Sequence, residues 1–208
     1  MQAKTYEELM DAANDARIDT NDTEAIKLYK EALKQSGSRD TEAHWMLAVS
    51  LTNSEEYDEA LRELDAVLKM CDDSDKPNVL RDRARVLTKL KRFEESASDI
   101  QQSLSTLEAS ENTGEYGATL GFGARLKTEQ GGTKGALEDF KKADAILKGS
   151  DNRHYELYNK LHYAEALVNS GDKELAEEVI TEAEALIPQY GGEKHTQRAQ
   201  ELREKLKI

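Results

Sequence analysis

One cysteine, two prolines and one tryptophan in 208 residues set the first limits on this chain. The lone Cys71 cannot close a disulfide within the chain or build a zinc site of several thiolates, and such sparing use fits a reducing compartment. With so little proline, helices can run without interruption. Hydrophobic residues make up only 38% of the chain. That is low for one thick core and suits thin layers that each expose a face. No apolar run approaches the roughly 20 residues that span a bilayer. Residues 1–10 are polar and acidic and lack the apolar core of a signal peptide. The expectation is a cytoplasmic protein with no membrane partner. Cations are also outnumbered, 29 Lys and Arg against 42 Asp and Glu, for a net charge of −13. Phosphate backbones need a concentrated basic surface, so nucleic acid is not an expected partner. The acidity is not gathered into a tail; it reads as a solvated outer face.

What the chain does have is alanine, glutamate, leucine and lysine in helical proportions, and a period. Ala13, Ala48, Ala84, Ala124 and Ala164 follow one another at intervals of 35, 36, 40 and 40 residues. A second series, Ala25, Ala60, Ser96, Ala136 and Ala176, shows the same intervals and always lies 12 residues after the first. Four positions later come Tyr29, Leu64, Ile100, Phe140 and Ile180, and then the small or apolar set Ala32, Val67, Ser103, Ala143 and Ala183. Around each mark the apolar residues fall at helical spacing, as in Leu47, Ala48 and Leu51, then Tyr57, Ala60, Leu61, Leu64 and Val67. A short polar turn separates them: Asn53-Ser54-Glu55, with Ser54 placed to cap the next helix, or Ser170-Gly171-Asp172, with Gly171 suited to a left-handed helix end. Each unit therefore predicts an antiparallel helix pair in which small residues let the two backbones approach closely.

This pattern resembles the tetratricopeptide repeat (TPR) family, whose 34-residue motif pairs two helices through small residues on both, a large apolar residue one turn on, and a further small residue. The resemblance covers about residues 5–188. It implies an all-α fold: a right-handed α-solenoid of five TPR-like antiparallel helix pairs, at approximately 5–38, 40–73, 76–110, 115–149 and 152–190, within 1–192. A capping helix at 193–208 follows, with Ala199, Leu202 and Leu206 as its apolar stripe. Individual units depart from the motif. Ser96 and Ser103 stand in the third, Gly123 and Thr133 in the fourth, and only the fifth carries the closing proline, Pro188, expected just beyond its second helix. The extra length over 34 residues lies between pairs, predicting longer helices, longer loops such as Gly149-Ser150-Asp151-Asn152 and Glu111-Asn112-Thr113-Gly114, or both. Long-period units of this kind are similar to those of kinesin light chains.

No constellation carries catalysis, and neither a metal nor a cofactor is expected. His44, His154, His162 and His195 form no HxxxH or HExxH pair. Gly131-Gly132-Thr133-Lys134-Gly135 lacks the spacing of a phosphate loop and reads as an inter-helix turn. Glu55-Glu56, Glu94-Glu95 and Glu177-Glu178 suit helix starts and exposed faces.

The resemblance also implies where a ligand would sit. In the family, first helices line a concave groove. Carried onto this chain by the alanine register, the candidate groove residues are Trp45, Met46, Arg81, Arg85, Lys89, Phe122, Arg125, Tyr158 and His162. Arg81, Arg85 and Lys89 recur every four residues and share a helix face. This basic stripe reads either as ordinary salt-bridging with neighbouring carboxylates or as a seat for an acidic peptide segment, with Trp45, Met46 and Phe122 as apolar anchors. The family's clamp for chaperone C-terminal tails is not expected here: its positions hold Met10, Asn14, Met46, Asn78 and Asp82, and only Asn14 agrees. The function implied is a non-catalytic protein-interaction scaffold. The competing reading is a self-associating homo-oligomeric module that uses the cap or the fourth repeat as its contact.

Overall fold

The structure, a computed structural model, describes residues 4–36, 40–109 and 113–207. Among these residues there are eleven helices and no strands. They are α1 (Tyr6–Ile18), α2 (Asp22–Ser36), α3 (Thr41–Asn53), α4 (Tyr57–Val67), α5 (Lys76–Lys89), α6 (Phe93–Ala109), α7 (Thr113–Glu129), α8 (Thr133–Lys148), α9 (Arg153–Ser170), α10 (Lys173–Tyr190) and α11 (Glu193–Leu206). The chain divides into two compact units, Met1–Asp99 and Ile100–Ile208, and the division falls within α6.

Within each unit consecutive helices pack on one another, and first helices of successive pairs also touch: α1 with α3 and α3 with α5 in the first unit, α7 with α9 and α9 with α11 in the second. The alanine marks lie at these contacts. Ala13, Ala25, Ala48 and Ala60 are fully buried in one core with Leu9, Tyr29, Leu47, Leu51 and Leu64. Ala124, Ala136, Ala164 and Ala176 occupy the other with Phe140, Leu157 and Ile180. A leucine buried in this way contributes about 2 kcal/mol relative to exposure. In the third pair the close approach is visible in a hydrogen bond. Ser96, which stands where other repeats have alanine, donates its Oγ–H to the carbonyl of Ala84 at 2.8 Å. Thr88 donates to the same carbonyl, also at 2.8 Å. A buried serine is tolerated there because the opposite backbone accepts from it.

The turn inside every pair has one conformation. Thr20, Glu55, Lys91, Gly131 and Gly171 have φ of 59°, 64°, 61°, 85° and 86°. Each lies seven residues after its first-helix alanine. Each turn also closes the same two bonds. Asn21, Glu56, Arg92, Gly132 and Asp172 donate N–H to the carbonyls of Ala16, Leu51, Leu87, Lys127 and Leu167, while the left-handed residue itself bonds three residues back. This double closure satisfies the last carbonyls of the first helix and reverses the chain.

Three expectations change. Ser54 does not cap α4. It ends α3, and Glu56 stands at the start of α4 without a side-chain cap. Pro188 lies inside the last turn of α10, which runs on to Tyr190; Gly191 then donates to the Ile187 carbonyl at 2.9 Å and closes the helix past the proline. Thr113 and Gly114 open α7, while Glu111 and Asn112 of the expected loop lie outside the described residues. The added length of the later repeats is carried by their helices. α7, α9 and α10 have 17, 18 and 18 residues, against 13 in α1 and α3 and 11 in α4.

Candidate functional site

In the first unit the candidates distribute over α3 and α5. Trp45 donates its indole N–H to Asp82 at 2.8 Å, joining the two first helices. Arg85 makes a second such link, donating to the side-chain oxygen of Asn53 at 3.2 Å. Met46 is half-buried against the core, and Lys89 is exposed. Arg81 is only 3% exposed, so its guanidinium is embedded in the packing and is not part of a solvent-facing stripe. Arg83 of α5, absent from the candidate set, is bound by carboxylates. It forks onto Asp99 with two bonds of 2.8 Å and reaches Asp65 at 2.7 Å. The two carboxylates raise its pKa by holding the charged form.

In the second unit the structure brings four candidates together. Phe122 of α7 stacks on Tyr158 of α9 with centroids 5.2 Å apart, and Tyr158 lies 4.4 Å from the ring of His162. Arg125 donates to the Tyr158 hydroxyl and pairs with Glu129 at 3.1 Å. The close approach of α7 to α9 comes from a glycine. A Cβ at Gly121 would lie 2.5 Å from the amide oxygen of Asn159, inside contact distance.

Beside this ladder is a cleft of about 250 Å³. Arg125, Thr128 and Glu129 of α7 form one side, and His162, Glu165 and Asn169 of α9 another. Phe140 of α8 also borders it, and Arg198 of α11 contributes a further wall. Arg198 pairs with Glu165 at 2.5 Å. The nearby His162 ring, 3.7 Å away, and Arg198 together hold the Glu165 carboxyl at about 2. Burial pushes the His162 pKa down, favouring its neutral form.

The register that yielded Lys89, five residues after the alanine, also leads to Glu129 and Asn169. Arg198 had no such signal, because α11 carries neither mark. Lys160 was also missed. It is 1% exposed, and its ammonium reaches Asp144 of α8 at 2.8 Å and Glu182 of α10 at 2.6 Å. It ties three helices. Among the described residues no cluster of three or more His, Cys, Asp or Glu side chains could hold a metal ion, and no helix is long and apolar enough to cross a membrane.

No protein-family model matches the chain, and no curated protein matches it. Solved structures do. The Rap conjugation gene regulator of plasmid pLS20, in complex with the Phr* peptide, aligns with a TM-score of 0.85 at 10% identity, over 94% of this chain and 56% of the other. A Rap protein complexed with Competence and Sporulation Factor gives 0.84 at 14% identity, over 93% and 57%. The TPR-like repeats of a chain described as a kinesin light chain, from Podosopora anserina, give 0.64 at 16% identity, over 86% and 92%. The chain thus spans little more than half the length of the Rap proteins. At these identities the likeness is one of fold. By fold, this is a TPR-like repeat protein.

Proposed function

We propose that the chain is a non-catalytic protein-interaction scaffold that holds a peptide or extended partner segment on the first-helix faces of its repeats. The observation that carries this reading is the surface of α7 and α9. There three neighbouring rings, a half-buried guanidinium and an open cleft lie side by side on the two first helices. Tyrosine, tryptophan and arginine are enriched among the few residues that dominate binding energy in protein recognition. Two of the similar structures were solved with a peptide or a named factor bound, which supports carrying the same use to this fold. Of the apolar stripe of α11, Ala199 and Leu202 are buried and Leu206 is half-buried against its own chain, which favours this reading over self-association through the cap.

Affinity capture with mass spectrometry tests the proposal, comparing wild type with Arg85→Glu and Arg125→Glu separately. A partner seated on either face is lost with the corresponding variant, while far-UV circular dichroism stays unchanged. Identical capture by all three proteins would remove the assignment of binding to these faces.

A further inference from the structure

The cleft of the second unit contains balanced charge. On one wall Arg125 pairs with Glu129, four residues along α7. On the other, Glu165 of α9 pairs with Arg198 of α11, which also meets Glu201 of its own helix at 3.4 Å outside the cleft lining. All four side chains are partly shielded and none is sealed: their exposures are 19%, 25%, 27% and 34%. A guanidinium has five N–H donors and a carboxylate about four acceptor positions. Each pair can therefore keep its partner and still accept one ligand group. Cancellation within each wall makes the cleft a poor seat for a segment of a single charge. A purely acidic segment meets Glu129 and Glu165 as well as the arginines, and a purely basic one meets the arginines as well as the glutamates. A segment with both signs can place its carboxylate on one guanidinium and its cation on the facing glutamate.

We propose that this cleft takes a mixed-charge peptide segment, one with an acidic and a basic side chain in close succession, and that α11 forms part of the site through Arg198. The proposal rests on the peptide-binding reading above and narrows it, replacing an acidic ligand by an amphoteric one. It also gives the C-terminal helix a role besides covering the last apolar face. With Ala199 and Leu202 buried and Arg203 bonded to Glu184 at 2.8 Å, α11 is held so that Arg198 faces α9.

The test is isothermal titration calorimetry of the full chain with three end-capped six-residue probes: alternating Glu-Lys, all-Glu and all-Lys. The alternating probe should bind about tenfold tighter than either homopolymer, since specificity here comes from repulsion of the wrong sign as much as attraction of the right one. Arg198→Ala and Glu129→Gln should each weaken that probe about fivefold, and titration with it should shift the His162 ring signals in NMR. Equal affinity for all three probes, tighter binding of all-Glu, or no binding of the alternating probe overturns the proposal. An all-Glu complex that is lost in Arg85→Glu and kept in Arg198→Ala overturns it too, while leaving the broader peptide-binding reading intact.

Discussion

The two units solve the same chain reversal with different residues. In the second, both turns place glycine in the left-handed conformation, Gly131 and Gly171. In the first, the equivalent positions hold Thr20, Glu55 and Lys91, each carrying a Cβ that makes this conformation unfavourable by about 1 kcal/mol or more. The double hydrogen-bond closure is nonetheless the same in all five turns. Helix pairing around the alanine marks imposes the turn, and residue choice only sets its strain.

A second contrast concerns the cation that ties a first helix to the second helices on either side of it. In the first unit Arg83 of α5 spans Asp65 of α4 and Asp99 of α6. In the second, Lys160 of α9 spans Asp144 of α8 and Glu182 of α10. Arg83 does this from a partly exposed position, with a forked group that binds one aspartate through two bonds. Lys160 does it from full burial, which is tolerable because two carboxylates bond its ammonium and Glu156 lies 3.9 Å away. The units share a plan and differ in how much desolvation it involves.

The largest effect that would sharpen this contrast is expected at Lys160. Lys160→Ala leaves Asp144 facing a cavity without its cation and Glu182 with Lys148 alone, and should cost about 3 kcal/mol. Arg83→Ala leaves the Asp99 carboxylate, only 3% exposed, without its forked partner while Asp65 keeps access to water, and should cost about 2 kcal/mol. Denaturant unfolding of both variants decides it, and equal losses would mean that burial does not separate the two bridges.

Next comes Gly121→Ala. Its new methyl meets the buried Asn159 side chain, so about 2 kcal/mol of overpacking strain is expected, relieved in large part by the double change with Asn159→Ala. A thermal midpoint unchanged by Gly121→Ala would contradict the close packing of α7 on α9.

The turn comparison can be broken by exchange. Thr20→Gly should stabilise the first unit, and Gly171→Thr should destabilise the second, each by about 1 kcal/mol. Hydrogen exchange of α1 and α9 amides measures both. A destabilised Thr20→Gly would show that the threonine carries a contact outweighing its backbone strain.

The smallest effect is one of pH. Burial lowers the folded-state pKa of His162, so the unfolded chain binds its proton first. The stability it contributes is complete above the unfolded value of about 6.5 and falls as pH drops below it. Glu165, depressed to about 2, contributes stability present above the ordinary carboxylate range and lost as pH falls through that value. Melting of wild type and His162→Gln between pH 7.5 and 5 should therefore converge toward the acid end, and parallel curves would remove His162 as the titrating group.

Much of the fold was legible because helix pairing demands small residues at a fixed separation, and only a few residue types meet that demand. The 12-residue spacing of Ala13 to Ala25, or Ala164 to Ala176, shows it directly. The left-handed turns were legible only where glycine occupies them. Thr20, Glu55 and Lys91 carry no local signal, since their conformation is imposed by packing. The candidate site divided in the same way. Phe122, Arg125, Tyr158 and His162 follow from the register and do meet. Arg81 follows from the same register but is buried, because i, i+4 spacing shows which residues share a face and not what covers that face. Arg198 and Lys160 reach their partners from other helices, at sequence separations that no period marks.

The sequence by itself thus determined the helices, their pairing and the register of their faces, since these depend on spacing along one chain. Tertiary structure alone decided which cations are buried, which glutamates they meet, and that Arg198 of α11 borders a cleft between α7 and α9. Those outcomes depend on distances between helices, and in this chain they are set by side-chain volume and desolvation at the contacts rather than by any repeating pattern.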